Sequence, residues 1–280
     1  MCTITVISGI VLVAIGAYAQ DTPPPAPQAP PPLEYSGKPI QLPLACGDED
    51  IRAAGLTCTE DDPCPVYLEL NNIDAAGTRI VAAGNLHTDN VTLFSVLLQS
   101  DDSGHTWREP NDRIRGAALE QIQFLESANG WVAGHLVFPL AREPFLLVTE
   151  DGGKTWKQRD IFGESAEDRL GSVQQFSFAS KDGGSLIIDR GKGNDDRYEL
   201  YESPDSGQSW TIKETSAKPL RLKRPPLPPA SDLRLRAAAS SKSYQIERRQ
   251  PSGQWSPLGA FAVRAGVCQP DAPKPADDPK

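Results

Sequence analysis

A chain of 280 residues could hold one large or two small domains, but both ends are discounted before a core is counted. The formal net charge of -9 disfavours a nucleic-acid partner, since phosphate binding needs a concentrated basic surface, and the one basic cluster, Arg221-Leu222-Lys223-Arg224, reads as a solvated loop. Mild acidity contributes mainly solubility. The N-terminus carries an apolar run from Ile4 to Ala17 followed by Ala17-Tyr18-Ala19, a small-x-small pattern that reads as a signal peptide over residues 1–19, cleaved after Ala19. No Lys or Arg precedes the run, and the alternative is an uncleaved N-terminal membrane anchor. The run is shorter than the roughly 20 apolar residues a spanning helix needs. The expected location is therefore extracytoplasmic, periplasmic or secreted.

Residues 20–45 read as a Pro-rich linker. The run Pro23-Pro24-Pro25-Ala26-Pro27-Gln28-Ala29-Pro30-Pro31-Pro32 lacks amide donors and has φ fixed by the rings, so it is an extended spacer. A stalk is its plainest role, and a ligand for a proline-recognition module is the other. With the signal removed, Cys46, Cys58, Cys64 and Cys268 remain, an even number that reads as two disulfides in an exported protein. Their spacing matches no zinc pattern. The tail over 269–280 is polar, proline-rich and expected to be disordered.

Between these ends, over 46–268, apolar residues come in runs of a few residues separated by turn signals, with no sustained helical period. The strands expected in chain order are Val66–Leu70, Arg79–Ala83, Leu93–Gln99, Ile122–Leu125, Gly130–Ala133, Phe145–Thr149, Gln174–Ala179, Ser185–Asp189, Tyr198–Glu202 and Tyr244–Arg248. The domain is all-β, of the short-strand kind found in propellers, sandwiches and barrels.

A repeated motif chooses among these. Ser100-Asp101-Asp102-Ser103-Gly104-His105-Thr106-Trp107, Thr149-Glu150-Asp151-Gly152-Gly153-Lys154-Thr155-Trp156 and Ser203-Pro204-Asp205-Ser206-Gly207-Gln208-Ser209-Trp210 align without a gap. Each follows an expected strand and is placed to turn a hairpin. The Asp carboxylate can accept from amides of its own turn, Gly supplies a positive φ, and the hydroxyls add short bonds to the same loop. The Trp lies back on the hairpin as an apolar plug with one N–H donor. A decayed fourth copy, Pro251-Ser252-Gly253-Gln254-Trp255, keeps Gly and Trp but lacks the Asp.

The motif resembles the Asp-box, or bacterial neuraminidase repeat, which links the third and fourth strands of a propeller blade. The stretch Phe124-Leu125-Glu126-Ser127-Ala128-Asn129-Gly130-Trp131-Val132-Ala133-Gly134, with Phe145-Leu146-Leu147-Val148-Thr149 and the second motif, is similar to a blade of the photosystem II assembly factor-like repeat family. Ile73-Asp74-Ala75-Ala76-Gly77-Thr78-Arg79-Ile80-Val81-Ala82-Ala83-Gly84 repeats the outline without the Trp. The resemblance implies a small β-propeller of about four four-stranded blades, one per repeat of about 50 residues, with the Asp-boxes on its outer edge. Closure of that ring suggests Val66–Leu70 lying beside a strand near Phe261–Arg264, locked by a Cys64–Cys268 bridge that leaves Cys46 with Cys58.

Sialidases also carry Asp-boxes, and their chemistry needs an arginine triad, a Tyr–Glu nucleophile pair and an Asp acid/base. Arg79-Ile80-Val81 departs from that family's Arg-Ile-Pro signature at the proline, and Tyr198–Glu199 and Tyr201–Glu202 are explained as strand residues. His87, His105 and His135 form no spacing pattern, and no nucleophile elbow, phosphate loop or zinc-protease motif is present. Asp195-Asp196 reads as a hairpin loop with too few converging oxygens for calcium. Asn90-Val91-Thr92 is a glycosylation sequon. No cofactor and no catalytic residue is expected. The reading is a non-enzymatic binding or scaffold module for a protein or glycan ligand, with a sialidase-like glycoside hydrolase as the alternative.

Overall fold

The computed structural model describes residues 31–137, 143–162, 170–193, 195–222 and 232–272. The signal reading of 1–19, the start of the linker to residue 30 and the tail beyond 272 lie outside the described residues. In chain order the strands are β1 (Leu33–Glu34), β2 (Cys64–Ala76), β3 (Arg79–His87), β4 (Thr92–Ser100), β5 (Thr106–Trp107), β6 (Ala117–Leu125), β7 (Asn129–Leu136), β8 (Glu143–Thr149), β9 (Lys157–Asp160), β10 (Ser172–Phe178), β11 (Gly184–Asp189), β12 (Tyr198–Ser203), β13 (Thr211–Ser216), β14 (Leu233–Ala238), β15 (Ser243–Arg249), β16 (Trp255–Ala262) and β17 (Arg264–Cys268). One α-helix, α1 (Asp48–Ala53), is seated by buried Ile51. Among the described residues no helix is long and apolar enough to cross a membrane.

Among the described residues the strands form five antiparallel sheets, the two-stranded β1–β5 pair and four larger ones. Of these four, the first has the order β17-β2-β3-β4, the second β6-β7-β8-β9, the third β10-β11-β12-β13 and the fourth β14-β15-β16. The second, third and fourth are runs of neighbouring hairpins, the arrangement that short strands with local turn signals favour, and in the first β2-β3-β4 are so joined while β17 is added from the C-terminal end of the domain. Strands inside these sheets are buried on both faces. On β3, Ile80 and Ala82 face one apolar layer and Val81 and Ala83 the next, so the strand reads as a continuous apolar run rather than an alternation.

Three apolar layers weld the sheets in sequence. Val66, Leu68, Ile80, Trp107, Ile246 and Phe261 join the first sheet to the fourth, with Trp107 and Phe261 edge to face at 5.2 Å. Val81, Leu97, Leu119, Val132, Phe145 and Trp156 join the first to the second. Trp131, Leu146, Phe178, Leu186 and Ile188 join the second to the third, where Trp131 stacks on Phe178 at 4.0 Å. Among the described residues no such layer joins the third sheet to the fourth.

Three expectations change. The domain begins before residue 46: β1 pairs with β5, Ile40 bridges Phe261, and Leu42 is buried, so the C-terminal half of the expected linker is a strap across the first and fourth sheets. Its apolar residues Leu33, Ile40, Leu42 and Leu44 supply what the proline-rich run lacks. The fourth repeat forms three strands, and its turn joins β15 to β16. Without the motif's Asp that turn is tied by backbone bonds, Gln250 N–H to the Gln254 carbonyl at 2.7 Å and Gly253 N–H to the Gln250 carbonyl at 2.8 Å, and by one long bond from Gln254 N–H to Ser252 Oγ at 3.4 Å. Trp255 is left half-buried with the Arg234 guanidinium 4.2 Å above its ring.

The third change is the disulfide pairing. Two bridges form, but they are Cys46–Cys268 and Cys58–Cys64, not Cys64–Cys268 and Cys46–Cys58. The C-terminal strand does lie beside β2, in the register Cys268↔Cys64 to Arg264↔Tyr67, slightly later in the chain than Phe261–Arg264. Being opposite on paired strands is not enough. Cys64 reaches back to Cys58 in its own loop, with Cα atoms 5.3 Å apart, while the strap brings Cys46 to 4.8 Å from Cys268.

Candidate binding cleft

The three eight-residue motifs turn the β4–β5, β8–β9 and β12–β13 hairpins, and their bonding is the same atom for atom. In the first, Ser100 Oγ accepts from Gly104 N–H at 2.7 Å and donates to Asp102 at 2.8 Å, and Asp102 accepts from Thr106 N–H at 2.9 Å and Thr106 Oγ1 at 2.7 Å. Thr149, Asp151, Gly153 and Thr155 repeat this at 2.6–3.0 Å, as do Ser203, Asp205, Gly207 and Ser209 at 2.6–2.9 Å. Gly104, Gly153 and Gly207 take φ of 98°, 83° and 84°, where a side chain is strained. Burial works to raise the Asp102 and Asp151 pKa values, but the amides and hydroxyls of their turns outweigh it and hold both at about 2. At Asp205 the Ser209 hydroxyl, against a smaller burial effect, also lowers the pKa. The Trp107 indole N–H donates to the Gly104 carbonyl at 3.1 Å, whereas the Trp156 and Trp210 indoles have no partner.

Each motif turn also packs on another sheet. Gly104 lies against Leu258 of the fourth sheet, Gly152 against Arg79 and Gly153 against Gln99 of the first, and Gly207 against Leu146 of the second. The Ser206 carbonyl accepts from Arg159 at 2.7 Å. These carboxylates are therefore engaged in their own turns at sheet junctions, and Asp151 also lines a small pocket of about 190 Å³ with Glu150, Lys157 and Arg159.

On the other side of the same junction a polar cleft of about 440 Å³ opens between the first and second sheets, lined by Glu69 and Asn71 on β2, Asn85 on β3, Thr92 on β4, Ala118 and Glu120 on β6, His135 on β7, and Val137. Matching β-bulges build it. The β2–β3 register slips between Leu70 and Asn72, and the β6–β7 register slips between Leu119 and Gln121, so Asn71 and Glu120 are the extra residues. A bulge re-aims the side chain it carries. Gly84 and Gly134 lie opposite the two bulges, and a Cβ at either would collide with the facing backbone of Glu69 or Ala118. Asn85 and His135 directly follow these glycines.

Two polar atoms here are buried and unsatisfied. Asn85 is 3% exposed; its Nδ2 donates to Glu69 Oε2 at 3.3 Å, but its Oδ1 has no partner. His135 Nδ1 has no hydrogen bond, and Glu120 Oε1 lies 3.7 Å from it. Nearby bonds fix the walls: Asn71 Nδ2 donates to the Leu119 carbonyl at 2.9 Å, and Asp74 accepts from Phe124 N–H at 2.7 Å. Burial raises the Asp74 pKa despite this bond and a second from Ala75.

His87 and His105 do not join the cleft; their Nδ1 atoms meet the Thr88 and Asp102 carbonyls at 2.8 and 2.6 Å. The tyrosine pairs also separate. Tyr201 donates to Glu199 Oε2 at 2.6 Å and accepts from Arg190 at 3.2 Å, while Glu202 is exposed opposite Lys213 and Tyr198 lies beneath Arg197. Burial first, and the Glu199 carboxylate next, push the Tyr201 phenol upward, the opposite of what a phenolate nucleophile requires. In the Asp195-Asp196 hairpin, Asp189 holds Arg197 through two bonds of 2.6 Å, and among the described residues no group of three His, Cys, Asp or Glu side chains is placed to hold a metal.

The cleft residues were legible only as an unexplained pattern, Ala-Gly-Asn-Leu at Ala83–Leu86 and Ala-Gly-His-Leu at Ala133–Leu136, which puts a polar residue at the same place in two otherwise apolar strands. No family model matches the chain, and no curated protein does. Among solved structures it is similar to YCF48 bound to D1 peptide, with 21% identity, a TM-score of 0.37, and coverage of 72% of this chain and 55% of that one. YCF48 from Cyanidioschyzon merolae gives 16% identity, a TM-score of 0.36 and coverage of 70% and 57%. A GH74 xyloglucanase from Xanthomonas campestris gives 17%, 0.36, and coverage of 48% and 18%. The chain thus spans little more than half the length of the first of these, and less than a fifth of the xyloglucanase.

Proposed function

We propose that the chain is an exported, non-enzymatic binding or scaffold module of the β-propeller type, built from Asp-box blades, which holds a protein or glycan ligand in the cleft between its first two sheets. The observation that carries this reading is the buried, unpartnered Asn85 Oδ1 in a solvent-accessible cleft. An acceptor so placed costs free energy unless water or a ligand group pairs with it, and a ligand donor there would replace a water. Export rests on the Ile4–Ala19 segment and on two disulfides, which persist in oxidising compartments.

The second reading is a sialidase-like glycoside hydrolase, favoured by the hydrogen-bonded Tyr201–Glu199 pair beside Arg190. The raised phenol pKa counts against it. A photo-crosslinking residue at Val137, on the cleft rim, tests the binding reading: ligand is captured from envelope extract by this variant and not by one labelled at exposed Lys154 on the second motif turn. Equal capture at both positions, or turnover of a fluorogenic sialoside lost in Tyr201→Phe, would overturn it.

A further inference from the structure

Resting on the cleft as binding site, we propose that its occupant is a cationic side chain, lysine or arginine, of a protein partner. The cleft presents two carboxylates and an unpartnered amide oxygen, with the His135 imidazole beside one carboxylate. Glu69 and Glu120 stand on its two walls, and among the described residues neither meets a lysine or arginine within ion-pair distance; there Glu69 receives the Asn85 amide, and Glu120 faces His135. Between them Asn85, almost wholly buried, lines the same cleft and carries a side-chain carbonyl oxygen with no hydrogen-bond partner among the described residues. A carboxylate on each side and a neutral acceptor at the base match the several donors of an ammonium or guanidinium group.

The competing ligand classes fit less well. An anionic group would be placed beside two carboxylates. A sugar ring is commonly held on an indole or phenol face, and among the described residues no Trp, Tyr or Phe lines this cleft. The volume of about 440 Å³ accepts one long side chain with part of its backbone and falls in the usual range for small-ligand sites, roughly 300–1,000 Å³. The bulges at Asn71 and Glu120 hold the two walls in register, so the acceptors are positioned before the cation arrives.

The test is selection of displayed random peptides on the intact protein, with counter-selection against the Glu69→Gln/Glu120→Gln double variant. Both glutamates are solvent-accessible, so the amides are tolerated, and unchanged melting temperature and far-ultraviolet dichroism check folding. The expected result is that peptides lost on the double variant carry Lys or Arg at a fixed position, and replacing that residue by norleucine or citrulline weakens binding at least about tenfold. Rising salt should also weaken it. Cleft-dependent peptides without a required cation would overturn this proposal and leave the binding reading standing. Binders equally tight on both proteins, or none, would overturn both.

Discussion

The two disulfides differ in the length of chain they close, and that difference sets a measurable contrast. Cys46–Cys268 spans 222 residues of sequence and Cys58–Cys64 spans 6. In the chain-entropy description a cross-link stabilises by restricting the unfolded ensemble, with a contribution that grows as the logarithm of loop length. For these lengths it gives about 5 kcal/mol for the long closure and about 2 kcal/mol for the short one. Residual structure in the denatured chain lowers both, and the long loop more. Paired substitutions, Cys46→Ala/Cys268→Ala and Cys58→Ala/Cys64→Ala, each leave the other bridge intact. Urea unfolding followed by emission of the buried Trp107, Trp131 and Trp156 should place the first variant about 2–3 kcal/mol below the second. Equal loss in both, or greater loss from the short bridge, would refute the reasoning. Non-reducing peptide mapping that linked Cys64 to Cys268 would refute the pairing itself.

Three further outcomes are expected. Asp151→Ala removes the acceptor for Thr155 N–H and for the Thr149 and Thr155 hydroxyls, and should lower stability by about 1–3 kcal/mol, or roughly 2–4 °C per kcal/mol in calorimetry, while Glu150→Ala on the same turn changes little. An unchanged melting temperature for Asp151→Ala would contradict the role given to that carboxylate. The folded-state pKa of about 2 for Asp102 and Asp151 lies below their ordinary 3.8, so their stabilisation is present above pH 4 and is lost as pH falls through about 2. After solvent screening this is about 1 kcal/mol each, and Asp102→Asn/Asp151→Asn should flatten the decline of melting temperature between pH 5 and 2. Gly84→Ala forces a Cβ onto the backbone of Glu69 and Leu70, should cost about 1–3 kcal/mol by calorimetry, and disturbs the β2 bulge; loss below 0.5 kcal/mol would mean the close approach is relaxed.

All ten strands expected from the sequence are present, because inner strands carry dense runs of Val, Ile, Leu and Ala. The missed ones follow from the same physics. Strand β9, Lys157-Gln158-Arg159-Asp160, and β13, Thr211-Ile212-Lys213-Glu214-Thr215-Ser216, are outermost, largely exposed, and carry no apolar signal. β14 and β16 are broken by Arg234, Arg236 and Pro257, and their place is set by Leu233, Ile246 and Phe261 packing on the first sheet. The strap over Leu33–Leu44 was hidden by the prolines before it.

Returning to the three Trp-ended motifs, every atom that ties them lies within eight residues, so the sequence alone determines their turns. Local hydrogen bonds need no distant partner. Which cysteines join and that Asn71, Asn85, Glu120 and His135 converge on one cleft depend on contacts between segments far apart in the chain. Register slips and sheet-to-sheet packing decide those, and neither has a local signature.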